Sequence, residues 1–144
     1  MDESRKLTDE LLPCPRNRVL VADGDRAFRS VAANVLRAEG YTVAEATSGN
    51  DLASRLVASA RRCWKSRPFD LIICDACLAA ETGLEVFVGM NLPAAPPVVV
   101  TVAHGDWIAR ETARRFGASV VLEKPIDIDG LRSLVGSIVR RRKA

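Results

Sequence analysis

Histidine is almost missing from this chain of 144 residues: His104 is the only one, beside four cysteines. Of those, only Cys74 and Cys77 stand close together, as CDAC. A zinc site would want a second pair or nearby histidines, and neither is present. A redox CxxC normally opens a helix after a strand, whereas Cys74 belongs to an apolar, strand-like run and an acid separates the pair. Buried, inert thiols are the expectation. Glycine and proline are also scarce, at 9 and 7, which excludes collagen-like and low-complexity classes. No apolar run reaches the roughly 20 residues of a membrane span. The longest weakly charged stretch, Leu92 to Ala103, is broken by Pro93, Pro96 and Pro97. The opening MDESRKLTDE has no apolar core of a secretory signal. Neither charge sign dominates, with 21 basic against 18 acidic residues. Much of the +3 excess sits in Arg140, Arg141, Arg142 and Lys143, which read as a solvated helix end. Without a basic recognition helix, direct nucleic-acid binding is not expected.

What is present is 48% apolar residues in a length suited to one domain, which excludes intrinsic disorder. The expectation is a cytoplasmic protein with no membrane span. Residues 1–17 carry no sustained period and read as a loose leader, followed by one domain over residues 18–144. From Arg18 the pattern alternates. Val19 to Ala22 is a short apolar run. Phe28, Val31, Ala32, Val35 and Leu36 then repeat at helical spacing until Gly40. Tyr41 to Ala46 reads as a strand. Ser48 with Asp51 signals a helix start of the capping-box kind, and the helix runs through Leu52, Leu56, Ala60 and Cys63. Phe69 to Cys74 is a buried strand, with a short helix expected around Leu84 to Met90. Pro97 to Val102 is the next strand. A helix then carries Ala109, Thr112, Ala113 and Phe116 on one face and ends at Gly117. Ala118 to Leu122 is the fifth strand, and Leu131, Leu134, Val135, Ile138 and Val139 stripe the last helix. Five such alternations with near-continuous apolar strands predict an α/β fold, a parallel sheet covered on both faces.

Ligands of open parallel sheets bind outside the carboxyl ends of the strands. Asp23 ends the first strand with Asp25 close behind, Asp75 ends the third, and Glu123, Lys124 and Pro125 end the fifth. Two carboxylates that converge repel unless a cation lies between them. Oxygen ligands of this type suit Mg²⁺ held through one or two carboxylates and several waters. The chemistry this edge suggests is a Mg²⁺-competent pocket able to take a phosphoryl group on an aspartate.

At these strings the chain resembles the receiver domain of two-component response regulators, over roughly Arg18 to Arg141. The family's first strand carries a string like VLVVDDD, where this chain has VLVADGD. For DLVLLDIMMPGMDGLEV it has DLIICDACLAAETGLEV, for PVIVLTAHGD it has PVVVTVAHGD, and the Lys-Pro after the fifth strand is Lys124-Pro125. The resemblance implies a (βα)5 flavodoxin-like fold, a doubly wound parallel sheet of order 2-1-3-4-5. It implies a signalling domain rather than an enzyme, beyond self-catalysed phosphoryl transfer and dephosphorylation. Asp75 would accept the phosphoryl group from a histidine kinase or phosphotransfer protein, and Lys124 would contact the phosphoryl oxygens. Asp23, Asp75 and the backbone carbonyl of Cys77 would hold Mg²⁺. With no output segment after the last helix, a stand-alone receiver passing its signal to a downstream protein partner is expected.

The departures are as specific. The second acid of the family pair falls on Gly24, the hydroxyl residue ending the fourth strand on Val102, and the aromatic of the fifth strand on Val121. Thr101 is shifted by one and points to the opposite face from Val102. A carboxylate lost at Gly24 weakens Mg²⁺ by roughly 1.4–3 kcal/mol, or about 10–150-fold. Asp25 is expected to cap the first helix rather than replace it. The second helix is longer than the family's and ends in Arg61, Arg62, Cys63, Trp64 and Lys65. The alternative reading is a pseudo-receiver, a protein-interaction module that works without phosphorylation.

Overall fold

The computed structural model describes residues 17–62, 69–82, 96–115 and 117–143. Five parallel strands form one sheet in the order β2-β1-β3-β4-β5: β1 Arg18–Ala22, β2 Thr42–Ala46, β3 Leu71–Asp75, β4 Val98–Val102 and β5 Val120–Glu123. The fold class and strand order are those expected from the sequence. Five described helices join and cover them: α1 Arg26–Ala38, α2 Gly49–Arg62, α3 Ala76–Thr82, α4 Trp107–Arg115 and α5 Ile128–Lys143.

The pleat sorts each strand's side chains between two cores. Val19, Val21, Leu71, Ile73 and Val99 pack on one face against Ala32 and Leu36 of α1 and Leu131, Val135 and Val139 of α5. Leu20, Ala22, Ile72, Cys74, Val98, Val100 and Val102 pack on the other, against residues of α2, α3 and α4. Strands buried on both faces need apolar side chains at consecutive positions, which is why β3 and β4 read as near-continuous apolar runs.

Local signals place the helix starts. Asp25 caps α1, its carboxylate accepting from the amides of Ala27 at 3.0 Å and Phe28 at 3.3 Å. Before α2, the Ser48 hydroxyl accepts from the Asp51 amide at 3.1 Å and Asp51 Oδ2 from the Thr47 amide at 3.0 Å. The α3 helix starts immediately after β3, ahead of the helix expected around Leu84 to Met90. Its ACLAAE core consists largely of strong helix formers, and a seven-residue segment is too short for periodicity to declare it. The helix expected at Leu84–Met90, most of the leader, and Cys14, Cys63, Trp64 and Lys65 lie outside the described residues. No helix among the described residues is long and apolar enough to cross a membrane.

Candidate functional site

The carboxyl ends of β1, β3 and β5 lie on one edge of the sheet and bring Asp23, Asp75 and Lys124 together. The Lys124 ammonium stands 3.1 Å from Asp75 Oδ1 and 3.2 Å from Asp23 Oδ2. Asp23 is almost wholly buried, and its side chain is pinned by the Asp25 amide, which donates to Oδ1 at 2.8 Å. The other oxygen, Oδ2, is buried and meets the ammonium as an ion pair, with no aligned hydrogen bond. Asp75 Oδ2 accepts from the Cys77 amide at 3.1 Å in the first turn of α3. Burial alone would lower the pKa of Lys124. Its hydrogen bond to Asp75, with the charges of Asp75 and Asp23, outweighs that and holds its pKa above the ordinary value.

The arrangement fits Mg²⁺. The buried Oδ2 of Asp23 has no hydrogen bond and faces only the Lys124 ammonium among the described residues, and as a hard oxygen donor beside Asp75 it suits this ion. No group of three or more acidic, histidine or cysteine side chains gathers here among the described residues, so backbone oxygens and water must complete any shell. Gly24 contributes no side chain to it.

Two surroundings support the edge. Arg29 of α1, which no sequence motif singled out, donates from Nη1 to the Asp23 carbonyl at 2.8 Å. Its Nε lies 3.4 Å from Glu45 of β2, which also pairs with Arg37 at 3.2 Å. Ion pairs between helix and strand leave no periodic trace, so Arg29 was invisible in the chain. Across the edge, Glu123 ties the loop after β4 to β5. It accepts from the Gly105 amide at 2.8 Å, lies 2.7 Å from His104 Nδ1, and pairs with Arg110 at 3.2 Å. The Gly105 amide is the main reason the Glu123 carboxyl sits below the usual range; burial opposes it, and His104 and Arg110 add to the lowering.

Residues 19–136 match the family described as response regulator receiver domain. The chain belongs to that family. Receiver domains are signalling domains rather than classical enzymes, and they typically bind Mg²⁺ at the phosphorylation site. This receiver is 30% identical over 116 residues to the transcriptional regulatory protein ZraR of Escherichia coli O157:H7, covering 80% of the chain and 24% of ZraR. It is 26% identical to the transcriptional regulatory protein CpxR of Escherichia coli strain K12, over 87% of the chain and 50% of CpxR. The chain thus spans about a quarter to a half of the length of these curated relatives. Among solved structures it is similar to a response regulator receiver protein from Burkholderia phymatum. That likeness has TM-score 0.68 and 28% identity and covers 87% of this chain and 96% of that one.

The three departures of this receiver have distinct structural settings. Val102 is buried in the core opposite Asp75's face, and Val121 packs against the same core. Thr101 sits on the opposite face from Val102, as the alternation of β4 required. Gly24 has an ordinary backbone, and a Cβ there would meet nothing closer than the Thr47 carbonyl at 3.9 Å. Of the CDAC thiols, Cys74 is buried as expected. Burial first, then the charges of Asp75 and Asp23, pushes its pKa up to about 12. The expectation fails for Cys77, which is exposed because α3 turns it toward solvent at the strand's end.

Proposed function

We propose that this receiver accepts a phosphoryl group on Asp75 from a histidine kinase or phosphotransfer protein in the cytoplasm and relays the signal to a protein partner. The observation that carries the reading is the Asp23–Lys124–Asp75 cluster, with Nζ within 3.2 Å of both carboxylates at the carboxyl edge of the sheet. In the transfer, an Asp75 carboxylate oxygen attacks the donor's phosphorus. A P–O bond forms as the P–N bond of a phosphohistidine breaks, and the departing nitrogen keeps the electron pair. Lys124 meets the charge on the phosphoryl oxygens as a point charge. Asp23, Asp75 and the Cys77 carbonyl are the protein's candidate holders of Mg²⁺, which when bound neutralises the phosphoryl oxygens. Helical carbonyls point along the axis toward the C-terminal end, so the Cys77 carbonyl joins this set only if the first turn of α3 opens.

The test is incubation with acetyl phosphate, or with beryllofluoride, in the presence of Mg²⁺. Wild type is expected to gain one phosphoryl group in the mass spectrum, and Asp75→Asn to gain none. An unmodified wild type with no Mg²⁺-dependent spectral change would sink the reading.

A second reading, a pseudo-receiver acting without phosphorylation, draws support from Val102 and Val121. Both belong to the apolar packing and neither can offer a hydroxyl or a phenol to the site. It requires partner binding to survive Asp75→Ala.

A further inference from the structure

The strongest unexplained group near the site is Thr101. It has no exposed surface, and among the described residues its hydroxyl makes no hydrogen bond. A buried hydroxyl left unbonded costs roughly 1–3 kcal/mol, so one that persists calls for a role. Its neighbourhood narrows the choice. Thr101 of β4 is the register partner of Asp75 on β3 and of Leu122 on β5. Strand alternation puts its side chain on the face that carries Val99, Ile73 and Leu122. Lateral partners in a sheet stand about 5 Å apart. Val99 and Leu122 are apolar, so Asp75 is the polar side chain in direct register with the hydroxyl. Lys124, two residues beyond Leu122, must cross β4 to reach Asp75 Oδ1, and so passes over the strand that holds Thr101.

We propose that Thr101 is a positioning residue for the phosphorylated form of Asp75, its hydroxyl donating to the Asp75 carboxyl group once Lys124 turns to the phosphoryl oxygens. No proton is transferred: the hydroxyl supplies one hydrogen bond in place of the ammonium contact at Oδ1. The inference rests on Asp75 being the phosphoacceptor. It gives this chain a hydroxyl from the residue before Val102, which faces the other core.

Thr101→Val keeps the shape and removes the hydroxyl, and Thr101→Ser keeps the hydroxyl. The measurement is the affinity for beryllofluoride in Mg²⁺, followed by NMR, together with Mg²⁺ affinity alone and the urea midpoint. The expected result is beryllofluoride binding about 2–10-fold weaker in Thr101→Val, the size of one net hydrogen bond, and restored in Thr101→Ser. Mg²⁺ affinity without beryllofluoride should be unchanged, and the urea midpoint of Thr101→Val unchanged or higher. Equal beryllofluoride affinity in wild type and Thr101→Val overturns the assignment, as does a loss of Mg²⁺ affinity of the same size. A wild type that binds no beryllofluoride overturns the phosphoacceptor reading as well, and the wild-type arm alone reports that failure.

Discussion

Gly24 is a glycine that the backbone does not need. Its φ lies outside the left-handed region and the space for a Cβ is open, so neither strain nor crowding forbids a side chain. An aspartate there would add a second acid beside the buried Oδ2 of Asp23. Gly24→Asp should therefore tighten Mg²⁺ by about 10–150-fold, read by calorimetric or NMR titration. An unchanged affinity would mean that the new carboxylate turns to solvent. The substitution also removes some freedom from the unfolded chain, so stability should not fall. Asp25, one position on, cannot take over the role, because its carboxylate is already held by two amides of α1.

Among the elements, the loop between β4 and α4 is held by a titrating group. Glu123 at the end of β5 holds it through the Gly105 amide, His104 and Arg110. Its folded pKa lies below the 4.5 of a free glutamate. Such a group contributes stability that is present above pH 4.5 and is lost as pH falls through the lower folded value. The Gly105 amide resonance should accordingly titrate below pH 4.5, and Glu123→Gln should abolish that transition. A midpoint at or above the free value would show that the hydrogen bond is not formed in solution. The α3 helix shows the opposite limit of legibility. Its seven residues are too few to show a helical period, so no helix was expected there. Its formation depends on Asp75 accepting from the Cys77 amide and on Leu78 and Ala79 packing into the core.

Across the whole molecule, stability rests on the two apolar layers that flank the sheet. Ile72 lies in β3 with no exposed surface, paired with Leu20 on β1 and Val98 on β4. Ile72→Ala should cost about 2–5 kcal/mol, seen as a lower urea midpoint with an unchanged slope. A loss well below that would mean that the layer of α2, α3 and α4 collapses into the gap. The same two layers explain why the fold was legible. Doubly buried strands need near-continuous apolar runs and their covering helices need one apolar stripe, and both survive as patterns in the chain.

The sequence by itself determined the alternation of elements, the parallel sheet, and the acids and lysine at the strand ends, because these follow from local periodicity and from where each strand stops. Tertiary structure decided which of those charges meet. Lys124 is 49 residues from Asp75 in the chain and 3.1 Å from it in space, a pairing set by the strand order. It also decided that Arg29 grips the Asp23 carbonyl, that Val102 belongs to the core, and that the Thr101 hydroxyl lies in register with Asp75. Contacts between distant strands have no sequence period, so only the folded sheet could specify them.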